Sequence, residues 1–164
     1  MLGMFKKSPK DIGRALALSL NTSVEIDANE AQSVQAAGLN PNHWFNEIYF
    51  LSGASVFNVL VAALGERSEG KEARAGFIEV FEKRAAADPT EAGLFRIFRS
   101  RMVEYNSAAE AEEPGMLDPI TIKFMSFFPE GSGVAQVAYR FARDHYDAHF
   151  QSTIGALRAA KLAR

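Results

Sequence analysis

Seventeen consecutive residues without a charge, IYFLSGASVFNVLVAAL at positions 48 to 64, constrain the fold of this chain more than any other feature. A stretch so apolar leaves water, either for a bilayer or for the middle of a protein. At about 1.5 Å of rise per residue it spans roughly 25 Å as a helix, short of a hydrocarbon core of about 30 Å. Ser52, Ser55 and Asn58 interrupt it, and no basic flank orients it across a membrane. The expectation is a buried central helix that starts near Pro41 or Asn42, runs to about Leu64 and stops at Gly65. Ile48, Leu51, Val56, Phe57, Leu60, Val61 and Leu64 point in many directions on a helical projection. Ser52, Ser55 and Ala62 leave a strip of small side chains where another helix can approach closely. All-round apolarity marks a helix surrounded by others, so the rest of the chain must supply them.

It does. SPKDIGRALALSL carries helix-start grammar in Ser8, Pro9 and Asp11, and Ile12, Leu16 and Leu20 repeat every four residues, predicting a helix over roughly 9 to 21. In the segment that follows, Val24 and Ile26 alternate with polar residues, and ANEAQSVQAA favours a short helix that Gly38 stops; the reading is a loop followed by that helix. SEGKEARAGFIEVFEKRAAADP is amphipathic, with Phe77, Ile78 and Phe81 inward and Glu79, Glu82 and Lys83 outward. Asp88-Pro89-Thr90 breaks and restarts the chain. LFRIFRSRMVEY then places Leu94, Phe95, Phe98, Met102 and Tyr105 on the core side and Arg96, Arg99 and Arg101 outside, forming an antiparallel hairpin with its predecessor. NSAAEAEEPGMLDP, residues 106 to 119, reads as a flexible connection whose acidic run is a solvated loop sooner than a partner contact. Asp118-Pro119 opens a further helix carrying Ile120, Phe124, Phe127 and Phe128, closed by Pro129 and the EGSG turn, and a last helix runs from about Gly133 almost to the C-terminus. The fold class is all-α: a compact bundle of about six helices around the helix at about 42–64, with little or no sheet, in one domain over 1–164.

Charge and composition bound the partners. A net charge of −2 argues against general binding to nucleic acid or to an anionic membrane surface. With no cysteine there is no disulfide staple, thiolate zinc site or cysteine nucleophile. MLGMFKKSPK lacks a long apolar core after its lysines and does not read as a cleaved leader; a cytoplasmic location is the expectation.

One stretch suggests chemistry. In RDHYDAHF, His145 and His149 stand four residues apart, about 40° from each other around the helix, inside a wide apolar arc. Such a pair can grip one zinc, iron or copper ion, and His43 and Glu47 repeat the spacing at the start of the central helix, so the four define a candidate metal set. Against it, the spacing arises readily by chance, the glutamate of the HExxH motif is missing, and Ala142 and Tyr146 stand where a Glu-x-x-His motif requires a carboxylate. Histidines that serve packing and hydrogen bonding are the favoured reading, so no metal and no cofactor is assigned. GSG at 131 to 133 lacks the strand and the lysine of a phosphate loop, and SGAS lies inside the apolar helix. Asp144, His145 and Ser152 sit on a single helix that gives their functional atoms no reason to converge, so no catalytic residue is assigned.

Two features bear on binding. Thirteen phenylalanines and five methionines suffice to line an apolar pocket, although a Phe-rich core is the simpler use. Arg96, Arg99 and Arg101, with Arg140 and Arg143, offer an anion- or partner-binding surface, although arginines among glutamates are usually a solvated face. The leading expectation is a small soluble interaction or regulatory module without catalytic activity, its partner a protein or a second copy of itself. An alternative is a binder of an apolar small molecule in a Phe-rich bundle pocket. A histidine-ligated metalloprotein is the third.

Overall fold

The computed structural model describes residues 7–111 and 118–163. It is an all-α bundle in which the apolar helix lies at the centre. Seven helices follow one another among the described residues: α1 (Pro9–Ser23), α2 (Ala28–Ala36), α3 (Pro41–Leu64), α4 (Ser68–Ala87), α5 (Pro89–Glu110), α6 (Pro119–Met125) and α7 (Val134–Ala159). That is one more than the count of about six, and no strand occurs among the described residues.

Local chemistry fixes most of the starts. Ser8 Oγ accepts the Asp11 N–H at 3.1 Å before Pro9 opens α1. Asp27 receives the Glu30 N–H at 2.7 Å at the head of α2. Asn40 accepts from Asn42 and His43 and precedes Pro41 of α3. Asp88 ends α4 and begins α5, accepting the Thr90 N–H at 2.7 Å. Each cap satisfies a backbone donor that the first helical turn leaves orphaned. Gly65 ends α3 at a φ of 56°, a left-handed value open to glycine.

Three boundaries differ from the sequence reading. α5 continues to Glu110, because SAAE is as good a helix former as the turns before it, so residues 106–110 of the expected connection are helical. Residues 112–117 of that connection lie outside the described residues. α6 stops at Met125, where Ser126 donates back to Ile122 and Lys123 and Phe127 donates to Phe124, so Phe127 and Phe128 follow in a tight turn ahead of Pro129. Val24 and Ile26 lie in extended linking chain without a ladder partner.

α3 touches α1, α2, α4, α5 and α7. It is long and apolar enough to cross a membrane by length and composition, yet 72% of its most hydropathic window is buried by these neighbours. Ser55 Oγ donates to the Tyr146 carbonyl at 2.6 Å where α7 crosses, so part of the small-residue strip is a helix contact; Ala62 is exposed. Gly53 leaves the space that the Phe98 ring of α5 fills. The tightest approach joins α1 to α4: a Cβ on Gly13 would strike the Ala73 carbonyl, and one on Gly76 would strike the Lys10 carbonyl.

Candidate functional site

The histidines come first. His145 Nε2 lies 2.9 Å from Glu30 Oε2, and the other oxygen of that carboxylate accepts the indole N–H of Trp44 at 2.7 Å. Glu30 is only 3% exposed, and with these partners it ties α2 to α3 and α7. His43 donates from Nε2 to the Phe127 carbonyl at 3.1 Å, its ring set edgewise against Phe128. Glu47 accepts from Arg101 at Nε and Nη2, at 3.0 and 2.9 Å. Burial raises the Glu47 carboxyl above its usual pKa, and the Arg101 guanidinium opposes that rise. His149 is half-buried, and burial, followed by the neighbouring His145, lowers its imidazole pKa. The four residues of the candidate set therefore do not form one cluster: His145, His43 and Glu47 each answer to a different partner. No group of three or more His, Asp or Glu side chains able to hold a metal ion occurs among the described residues.

The arginines disperse in the same way. Arg101, expected outside, turns inward because α5 crosses α3 beside Glu47; its guanidinium also sits 3.4 Å from the Phe127 ring centroid. Arg143 pairs with Asp147 and Asp118, and Arg140 lies over Phe141. Arg96 and Arg99 remain exposed. The Arg99 guanidinium lies 5.8 Å from the Phe95 ring centroid.

A cleft of about 360 Å³ opens between α1, α3, α4 and α5. Phe50, Phe81, Phe95 and Phe98 form its floor. Phe81 and Phe98 lie 4.6 Å apart by centroid, and Phe81 stacks on Phe95 at 6.2 Å with 4° between planes. These rings meet because Phe77, Phe81, Phe95 and Phe98 lie on the facing sides of the α4–α5 hairpin, against Phe50 of α3. Phe45 and Leu94 stand at the rim, 37% and 36% exposed, and Ile97 follows one turn along α5 at 45%. Leu94 and Ile97 are thus apolar groups that the core does not cover.

The polar side of the cleft is a chain of hydrogen bonds. Asn21 Oδ1 accepts the Tyr49 hydroxyl and Arg84 Nη1, both at 2.9 Å. Arg84 Nη2 donates to Glu91 Oε1 at 2.9 Å. Burial raises the Tyr49 phenol above its ordinary pKa, so it is a neutral donor at neutral pH. The remaining lining residues are Leu20 and Asn46. Larger grooves run between α1 and α7, about 780 Å³, and between α3, α5 and α7, about 630 Å³. The first is lined by Ile12, Leu16, alanines, serines and lysines, and the second sets one stacked pair, Tyr146 and Phe150, among charged and amide groups, so neither gathers a floor of four rings.

Sequence reasoning missed Glu30, Asn21 and Arg84. For Glu30 a signal existed: Asp27 and Glu30 stand at the spacing of a cap and its third helical residue, and Glu30 shares a helix face with the buried Val34. Nothing local marks Asn21 or Arg84, whose partners come from other helices. What the cleft offers chemically is recognition: an aromatic floor, a rim of apolar side chains and one neutralised polar edge. No family model matches this chain, and neither a curated protein nor a solved structure matches it.

Proposed function

We propose that this protein is a noncatalytic binding module that takes an apolar small molecule into the aromatic cleft. One observation carries the reading: five phenylalanine rings, four on the floor and Phe45 at the rim, converge with the Tyr49 ring on a cleft of about 360 Å³ with a small polar edge. Ligand sites combine that volume range with mostly apolar walls and few polar groups. Aromatic contacts add about 0.5–1.5 kcal/mol each beyond burial, which suits a flat ring compound. Amide NMR spectra of isotope-labelled protein, titrated with naphthalene derivatives, test this directly. Shifts should be confined to cleft residues of α1, α3, α4 and α5 and vanish in Leu94→Trp, whose indole fills the mouth. Shifts scattered over the surface, or unchanged in that variant, would sink it.

The exposure of Phe45, Leu94 and Ile97 favours a second reading, an interaction module whose contact is this rim. Exposed apolar groups gathered in one place mark contact surfaces. Its simplest form is self-association through the rim. Sedimentation velocity over rising concentration should then show a dimer that Ile97→Lys removes; a monomer at all concentrations rejects that form.

A further inference from the structure

We infer that the cleft selects uncharged ligands: a flat aromatic body with one neutral carbonyl group at its polar end. The inference rests on the small-molecule reading above and narrows it to a chemical class. The charges at the polar edge are one cation, Arg84, and one anion, Glu91, bonded to each other at 2.9 Å. A ligand carboxylate reaching for Arg84 meets the Glu91 carboxylate beside it. A ligand ammonium reaching for Glu91 meets the Arg84 guanidinium. Either ion also leaves water for a floor of Phe50, Phe81, Phe95 and Phe98, and a desolvated charge without a partner is strongly disfavoured.

Neutral donors remain available. Asn21 Oδ1 is occupied twice, by Tyr49 and Arg84, which fixes the carboxamide and leaves its Nδ2 hydrogens without a partner among the described residues. Asn46, on the same cleft, has its side-chain amide likewise unclaimed among the described residues. Two carboxamides beside a cancelled ion pair match a carbonyl oxygen, which accepts hydrogen bonds and carries no net charge.

Four probes of one ring system separate the possibilities: acetonaphthone, methylnaphthalene, naphthoate and naphthylmethylammonium, each titrated against the full chain and read by amide shifts of the cleft residues. Acetonaphthone should bind tightest, with both ions weaker by about tenfold or more and methylnaphthalene between. Glu91→Gln uncovers Arg84, so naphthoate should gain about tenfold in that variant while acetonaphthone barely changes. Naphthoate or the ammonium binding the unmodified chain as tightly as the ketone would overturn the inference while leaving an apolar binding cleft intact. So would equal binding of methylnaphthalene, or no gain for naphthoate in Glu91→Gln. If no probe shifts any cleft residue, the small-molecule reading itself fails and this one with it.

Discussion

At the scale of single residues, the buried carboxylate of Glu30 is the most exacting group in the molecule. Two side chains from distant positions answer it, the Trp44 indole and the His145 imidazole. Glu30→Ala removes the acceptor and leaves a buried indole N–H unpaired, so urea unfolding should show a loss of about 3 kcal/mol. Glu30→Gln, which keeps one acceptor oxygen, should lose less. Partners of this kind were not legible in the sequence, where the RDHYDAHF histidines suggest one another rather than Glu30. His145 and Glu30 stand 115 positions apart, and Glu47 and Arg101 stand 54 apart. Their meeting depends on the rotation and crossing of separate helices, which periodicity along one helix does not contain. Caps were legible for the opposite reason. Ser8 and Asp118, read as caps from the sequence, bond to groups two or three residues away, so their chemistry is written locally; Asn40 and Asp88, which the sequence reading did not name as caps, do the same.

At the scale of helices, the α1–α4 pair is the closest fit. Gly76→Ala sets a methyl group against the Lys10 carbonyl, and backbone on both sides leaves little room to yield. Overpacking of this kind costs about 1–3 kcal/mol, and calorimetry of Gly76→Ala should show a lowered Tm at the upper end of that range. Glu79 adds an ionic clasp to the same pair. Lys83 of its own helix, then Lys10 and Arg14 of α1, pull its carboxyl from 4.5 to about 2. A folded pKa below the unfolded one contributes stability above pH 4.5 that is lost as pH falls towards about 2. The denaturation midpoint of Glu79→Gln should therefore vary less over that acid window than that of the unmodified chain. Helix identity was largely legible here, since α3 shows its all-round apolarity and α4 its stripe. Helix ends were less so: α5 runs past Tyr105, the last core position read from the sequence, to Glu110, and buries Ala108 on the way. Leu94 followed the core stripe yet stands 36% exposed on the rim of the cleft between α1, α3, α4 and α5.

At the scale of the molecule, the architecture hangs on one helix. With five helices packed along α3, and α6 meeting it through Trp44 and Phe124, loss of any large part exposes apolar surface on the rest. A single cooperative transition is the expected outcome. Far-UV circular dichroism and Trp44 emission should give one coincident denaturation curve, and separated curves would divide the chain into independently melting units.

The burial of the middle of α3 has a further consequence in time. Ile48, Leu51, Ala54 and Leu60 have essentially no exposed surface, so this middle part of the helix cannot open without its neighbours leaving. Its central amides should exchange with deuterium only through opening of the entire fold, and their rates report the global free energy. α2 has only nine residues, too few for a stable isolated helix, and its amides should open at lower free energy. The chain thus carries two clocks side by side. One is set by the whole molecule and one by the hold of Glu30 on its partners.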